Sequence, residues 1–192
     1  MLKRAWFQGI QDERDYHGYP EFKLRGNPWL GQGEEAVYSR VLMVGILRLM
    51  EQHGWRHLTS IDISKKSCDK DSLFFEFTGI VCNPTIFSIS LNQTDRLRII
   101  EAPSDVPKLV RSIIQGLWKI QDERNYNTAF EFKLLGNPWM AQGSDTVQIR
   151  VLLMRLISGL RSAGYRLYAT VDMNAGNDGY DLDSWFFRRE DS

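Results

Sequence analysis

The chain has 192 residues, of which 43% are hydrophobic and 25% are charged, a composition typical of a soluble globular protein. Its 24 basic and 24 acidic residues cancel, so no overall field favours nucleic acid or an anionic membrane as a partner. No stretch approaches the roughly 18 apolar residues that a membrane-spanning helix needs. The two cysteines, Cys68 and Cys82, fit a reducing compartment. These features predict an intracellular protein, in the cytoplasm or the nucleus, without a membrane segment.

One segment of the chain occurs twice. Residues 10–33 and 120–143 are identical at 16 of 24 positions at a constant offset of 110, whereas residues 41–61 and 151–171 share only four of 21. The identity is concentrated in Gln-Asp-Glu-Arg and in Glu-Phe-Lys-Leu-x-Gly-Asn-Pro-Trp. Either the backbone geometry of a Gly-Asn-Pro-Trp turn or a binding surface presented twice could explain this, and the geometric explanation is favoured.

In chain order, the first repeat is predicted to form helix, strand, helix, strand, strand. The segments with helical or alternating spacing are residues 2–10, 21–24, 34–53, 55–64 and 73–77. In the first strand, Phe22 and Leu24 are expected to point inward. The second helix, which ends at Gly54, is apolar around much of its circumference, so it is expected to pack between a sheet and another element.

The second repeat is predicted to follow the same order, with its last two strands at residues 165–173 and 184–189. Its first helix is the clearest in the chain, because Ser104 offers an N-cap and Pro107 lies in the first turn. Only the first repeat continues into a further hairpin, with arms at residues 86–91 and 96–100.

The fold predicted from these elements is α+β with a mainly antiparallel sheet. It contains two homologous helix-strand-helix-strand-strand units, residues 1–103 with the extra hairpin at 84–101, and residues 104–192. Each unit alone offers little surface to bury, and the linker at residues 102–105 is too short for an independent hinge. The two units are therefore expected to form one compact two-layer body with pseudo-two-fold symmetry.

Catalytic signals are weak, and an enzyme is the least favoured interpretation. The three histidines have no histidine at the matching positions of the second repeat, which excludes a duplicated histidine site. Acidic residues recur near the last two strands of each repeat: Asp62, Asp69 and Asp71, then Asp172, Asp178, Asp181 and Asp183. Lysines lie among the first set, so a solvated hairpin is favoured over a metal-dependent hydrolase at Asp62 and Asp172. No cofactor is predicted.

The remaining signal is aromatic, with six tryptophans in the chain. Trp29 and Trp139 each follow the proline of a Gly-Asn-Pro-Trp segment and are expected to plug the end of a sheet, although such rings can also stack on a partner. The candidate binding surface joins them to the repeated polar residues: Arg14, Lys23, Asn27, Trp29, Arg124, Lys133, Asn137 and Trp139.

The function predicted from the sequence is a non-catalytic protein-interaction module that grips an unidentified protein partner with these twin surfaces. The alternative is a nucleotide- or RNA-binding protein in which the two tryptophans stack on bases while the arginines and lysines meet phosphates. Nucleic acid is the less favoured partner, because the net charge is zero and no established RNA-binding motif is present.

Overall fold

The structure, a computed structural model, describes residues 5–63, 70–173 and 182–190. It is mixed α/β with mainly antiparallel sheets, which confirms the predicted fold class at that level. The chain divides into two compact units. The first unit comprises Met1–Asn83 with Met173–Asp181, and the second comprises Pro84–Asp172 with Leu182–Ser192.

The first unit consists of two hairpins and a helix. In chain order its elements are β1 (Ile10–Tyr16), β2 (Tyr19–Leu24), a 3₁₀ turn (Pro28–Leu30), α1 (Glu34–Glu51), β3 (Trp55–Ile61) and β4 (Ser72–Phe77). Strand β1 pairs antiparallel with β2, and β3 pairs antiparallel with β4. Helix α1 begins after Gly33 as predicted, and Gly54 follows its end with a φ of 79°, a conformation that glycine adopts without strain.

The second unit contains a six-stranded antiparallel sheet with two helices. Its elements are β5 (Ile86–Asn92), β6 (Arg96–Ile100), α2 (Val106–Gln115), β7 (Ile120–Tyr126), β8 (Ala129–Leu134), a 3₁₀ turn (Pro138–Met140), α3 (Ser144–Ser162), β9 (Tyr165–Val171) and β10 (Ser184–Arg189). The strand order is β7-β8-β6-β5-β10-β9. The β5–β6 hairpin, which the sequence places at the end of the first repeat, therefore lies in the middle of this sheet, between β8 and β10.

The Gln-Asp-Glu-Arg segments form strands β1 and β7, which the sequence analysis did not predict. Six of the seven residues of β1 are exposed, so the strand shows none of the apolar alternation that marks a half-buried strand. A polar strand of this kind is common at a sheet edge. The predicted helix at residues 2–10 is also wrong for residues 6–10: among the described residues only Ala5 is helical, residues 6–9 are not, and Ile10 belongs to β1. Residues 1–4 lie outside the described part of the chain.

The repeated sequence segments adopt the same local structure. Strand β1 pairs with β2 from Ile10 opposite Leu24, and β7 pairs with β8 from Ile120 opposite Leu134. Both hairpins have a register irregularity after this first pair. The order hairpin, 3₁₀ turn, helix, hairpin is also the same in both repeats. The arrangement of the two units as one symmetric body stays a prediction.

The prediction that Phe22 points inward is wrong, whereas Leu24 is buried as predicted. Phe22 keeps 42% of its surface exposed, whereas the matching Phe132 is completely buried at 0%. The difference follows from the neighbouring strand: Phe132 lies opposite Leu97 of β6, and both belong to the core of the second unit. Strand β2 pairs only with β1 in the described part of the chain, so no strand covers that edge.

This difference in burial predicts unequal effects of the same substitution. Phe132→Ala is expected to lower the free energy of unfolding by about 3–5 kcal/mol, because it leaves a cavity in a packed core. Phe22→Ala, the matched control, is expected to cost about 1 kcal/mol or less, because its ring is half in solvent already. Urea denaturation of the full chain, followed by circular dichroism, measures both losses. Equal losses would contradict the different burial of the two rings.

Candidate functional site

The Gly-Asn-Pro-Trp segments at residues 26–29 and 136–139, which we call the two corners, have the same backbone. Asn27 has φ −127° and ψ 65°, and Asn137 has φ −123° and ψ 66°. In both, the preceding glycine has a positive φ and the following proline is buried at the start of the 3₁₀ turn. A geometric reason for the repeated glycine and proline is therefore present in each unit.

The corner of the second unit binds the turn between β5 and β6. The backbone N–H of Trp139 donates to the carbonyl oxygen of Thr94 at 3.1 Å, and the indole Nε1–H of Trp139 donates to that of Arg96 at 3.0 Å. The hydroxyl of Thr94 donates to Oδ1 of Asn137 at 2.8 Å. The asparagine and the tryptophan of this corner thus recognise the backbone and one hydroxyl of a hairpin turn, in addition to shaping their own segment.

A buried carboxylate lies beside this contact. The side chain of Glu131 on β8 is completely inaccessible to solvent, and it accepts hydrogen bonds from Arg96 at 2.9 Å, Arg98 at 2.7 Å and Arg124 at 2.8 Å. Burial by itself raises the pKa of Glu131, but the hydrogen bonds and charges of Arg98 and Arg124 outweigh it and hold the pKa below its ordinary value. The ionised carboxylate therefore joins β8 to β6 and to β7.

The first unit has the equivalent ion pair, but in its described part no strand lies beside β2 as β6 lies beside β8. Nε of Arg14 donates to Oε1 of Glu21 at 2.9 Å, and both side chains are exposed. Arginine and glutamate are opposite each other in both hairpins, at Arg14 and Glu21 and at Arg124 and Glu131. This cross-strand pair is one reason why the charged segments of the two repeats match. These glutamates were not predicted as site residues, although they lie inside the repeated segments and opposite the predicted arginines.

The structure brings the four candidate residues of the second unit together around the hairpin. Asn137 and Trp139 bind its turn, and Arg124 shares Glu131 with the arginines of β6. Lys133 places its Nζ 4.0 Å from Oδ2 of Asp95, a residue of the same turn. The hairpin residues that complete this cluster were not predicted, because only the pairing of distant strands brings them to the corner.

The four candidate residues of the first unit lie in a different environment. Arg14 is bound to Glu21, whereas Lys23 and Asn27 are exposed. Trp29 is 38% exposed, while Trp139 packs against the core of its unit, so the expectation that both rings plug the end of a sheet is wrong for Trp29. In residues 5–63, 70–173 and 182–190, neither the Trp29 backbone N–H and indole nor the side chain of Asn27 forms a hydrogen bond.

The described residues do not gather a metal site. Within them, no group of three histidine, cysteine, aspartate or glutamate side chains could hold a metal ion. Asp69, Asp178 and Asp181 lie outside the described residues, so the predicted acidic clusters stay untested as a whole. No helix in the part of the chain covered by the structure is both long and apolar enough to cross a bilayer.

Comparison with known proteins places the chain in one family. The model of an uncharacterised domain family matches two segments, residues 1–76 and 85–188. The chain belongs to this family. The second segment runs from the β5–β6 hairpin to the penultimate residue of β10, and the first segment includes β1 to β3 and all of β4 but its last residue. No curated protein and no solved structure matches the chain. Membership of this uncharacterised family assigns no activity to the chain.

The two glutamates predict a contrast in stability. Glu131→Gln is expected to lower the free energy of unfolding by about 3 kcal/mol or more, because it leaves buried arginines without their charged partner. Glu21→Gln, the matched control, is expected to change it by less than about 1 kcal/mol, because that pair is exposed. Chemical denaturation at neutral pH measures the difference.

The buried ionic cluster of Glu131 predicts that the stability of the protein depends on pH. The folded pKa of Glu131 lies below its ordinary value of 4.5. The ionised carboxylate therefore stabilises the folded state fully above pH 4.5, and this stabilisation is lost as the pH falls through the folded pKa. The stabilities of the wild-type chain and of Glu131→Gln are therefore expected to converge as the denaturation is repeated at successively lower pH. If the difference in the free energy of unfolding between the wild type and Glu131→Gln stays constant into strong acid, the charge of Glu131 is not the cause of that difference.

Proposed function

We propose that the protein is a non-catalytic interaction module that binds a protein partner at the corner and the β2 strand of the first unit. The observation that carries this proposal is the difference between the two corners. Asn137 and Trp139 bind a hairpin turn, whereas the same groups of Asn27 and Trp29 form no hydrogen bond among the described residues and are open to solvent. A surface of the same sequence and backbone is thus able to bind polypeptide in one unit and is exposed in the other.

The chemistry of the corner supports a protein partner over a nucleic acid. In the second unit the corner donates to backbone carbonyl oxygens and accepts from a hydroxyl, which are groups of a polypeptide turn. Arg14 and Arg124, which were candidates for phosphate contacts, each bind a glutamate. The carboxylate of Glu21 beside Arg14 would repel a phosphate group, which leaves Lys23 and Arg25 as the exposed cations in the described residues between Glu21 and Trp29.

The proposal includes the predicted arrangement of the two repeats. The equal offset of the repeated segments and the shared order of elements support two homologous units that form one body with pseudo-two-fold symmetry. The balanced charge and the two cysteines support a cytoplasmic or nuclear location.

Trp29→Ala tests the function. Affinity capture from a lysate of the source organism is expected to yield a protein partner with the wild-type chain, and at least about tenfold less of it with Trp29→Ala, since exposed aromatic anchors dominate binding energies. Trp55→Ala is the matched control, because Trp55 is similarly exposed at 40%, compared with 38% for Trp29, and lies on β3. Both variants are expected to keep the melting temperature of the wild type.

The salt dependence of the capture separates the two partner classes. An interface with a protein is expected to respond little to ionic strength, whereas phosphate contacts make affinity fall steeply as salt rises. Loss of a captured nucleic acid on Trp29→Ala, with a steep salt dependence, would replace the proposal by the nucleic-acid alternative. Capture that is the same for the wild type and both tryptophan variants would refute the corner as the binding surface.

A further inference from the structure

The second unit shows what covers the strand edges that are unpaired in the described part of the first unit. Strand β8, the counterpart of β2, pairs with β6, and β10, the counterpart of β4, pairs with β5. Both places are filled by the two arms of one hairpin. In the described part of the first unit, β2 pairs only with β1 and β4 pairs only with β3. The two edges that a hairpin bridges in one unit are thus both unpaired in the other.

Apolar rings next to these edges are buried only where the hairpin is present. Phe186 on β10 is 0% exposed, whereas the matching Phe74 on β4 is 45% exposed. The two phenylalanines occupy equivalent register positions, since Phe74 lies opposite Thr59 and Phe186 lies opposite Ala169. Together with Phe22 on β2, Phe74 leaves apolar surface at both open edges. Exposed apolar surface that borders a polar rim marks an interaction site.

Charge at the open β2 edge specifies the residues that would fit. Glu131 is surrounded by Arg96 and Arg98 of β6, and Arg98 lies directly opposite it in the strand register. The matching Glu21 is bound by Arg14 of its own hairpin, and no second arginine contacts it in the described residues. A strand that covered Glu21 would have to supply a cation, since a carboxylate buried without enough partners is strongly unfavourable.

We infer that the first unit binds a two-stranded β-hairpin of another protein, with one arm antiparallel to β2 and the other beside β4. The arm on β2 carries an arginine opposite Glu21, and carbonyl oxygens of the hairpin turn accept hydrogen bonds from the backbone N–H and the indole of Trp29. This inference rests on the proposed function and names the chemistry of its partner. Binding by strand addition of this kind gains affinity from main-chain hydrogen bonds and specificity from side chains.

The occupant is another protein and not a second copy of this chain. The β5–β6 hairpin has this chemistry, but β6 already pairs with β8 and β5 with β10. A second copy would have to open its own sheet in order to lend this hairpin, which would expose as much edge as it covered. A partner with a separate hairpin does not carry that cost.

Pro20 limits how far the incoming strand can pair along β2. The N–H of Leu134 donates to Asp95 in the turn before β6, so by alternation the N–H groups of Phe132 and Phe130 also face the hairpin. Pro20 occupies the position that matches Phe130 and has no N–H. The incoming strand is therefore anchored near the corner, at Phe22 and Leu24, rather than along the whole of β2.

The test uses a cyclic peptide that carries residues 87–101 of this chain, closed by a D-proline–glycine turn because an isolated hairpin is only marginally stable. Titration calorimetry with the full wild-type chain is expected to give saturable binding of one peptide per chain. Trp29→Ala is expected to weaken binding by at least about tenfold, because it removes the indole donor and its apolar ring. Met154→Ala, an exposed apolar residue on helix α3 of the second unit, is the control and is expected to leave the affinity unchanged.

A charge exchange tests the arginine. The peptide with Arg98→Glu is expected to bind the wild-type chain at least about tenfold more weakly, because two carboxylates then face each other. Glu21→Arg in the full chain is expected to weaken binding of the original peptide and to restore binding of the Arg98→Glu peptide. Glu21 is exposed, so this variant is expected to keep the wild-type melting temperature. Restored binding depends on the direct pairing of the two side chains, which a general loss of structure does not reproduce.

The outcomes are distinct. A peptide that fails to bind the wild-type chain overturns the hairpin inference, while the proposed function stands if protein capture depends on Trp29. Binding that is insensitive to both Trp29→Ala and the charge exchange also overturns the inference, because the peptide then binds elsewhere. A dimer of the wild-type chain in sedimentation equilibrium that Glu21→Arg dissociates would identify a second copy as the occupant and overturn the assignment to another protein.

Discussion

The buried carboxylate of Glu131 is the constraint on which the second unit depends. A charged group without access to water is unstable unless opposite charges and hydrogen bonds replace its solvent shell. Here Arg96 and Arg98 of β6 and Arg124 of β7 provide them, and the pKa of Glu131 stays low in spite of burial. The contacts of Arg96 and Arg98 exist only when β6 lies beside β8, so they specify the register in which the hairpin joins the sheet.

The two repeats place nearly the same sequence in two different environments. The corners have the same backbone angles, and both hairpins place arginine opposite glutamate. In the second unit the β5–β6 hairpin binds these groups, and Glu131 is completely buried. In the first unit the same groups border solvent. The neighbouring strand, and not the repeated segment itself, therefore determines whether these groups are bound within their own unit.

Local spacing in the sequence was enough to predict much of the fold. The helix after Gly33, the helix that follows Ser104 and the strand Ser184–Arg189 lie close to their predicted positions, because each has its own periodic apolar pattern or a terminating glycine. Strands β1 and β7 were missed because their residues are mostly polar and exposed, without an alternating apolar pattern. The contact between the Trp139 corner and Thr94 was missed for another reason: the two residues lie 45 positions apart, and only strand pairing brings them together.

An unpaired strand edge can bind a partner strand, but it can also cause aggregation, since any extended chain can add to it. Strand β2 carries features that restrict such pairing: Pro20 removes one donor, and Lys23 and Glu21 place charges on the strand. A surface kept only for solubility would need these features but not an exposed corner with a tryptophan whose indole forms no hydrogen bond among the described residues. The combination favours selective recognition. The restrictions exclude general strand pairing along most of β2, while Trp29 and Glu21 near the corner can still admit a hairpin of matching shape and charge.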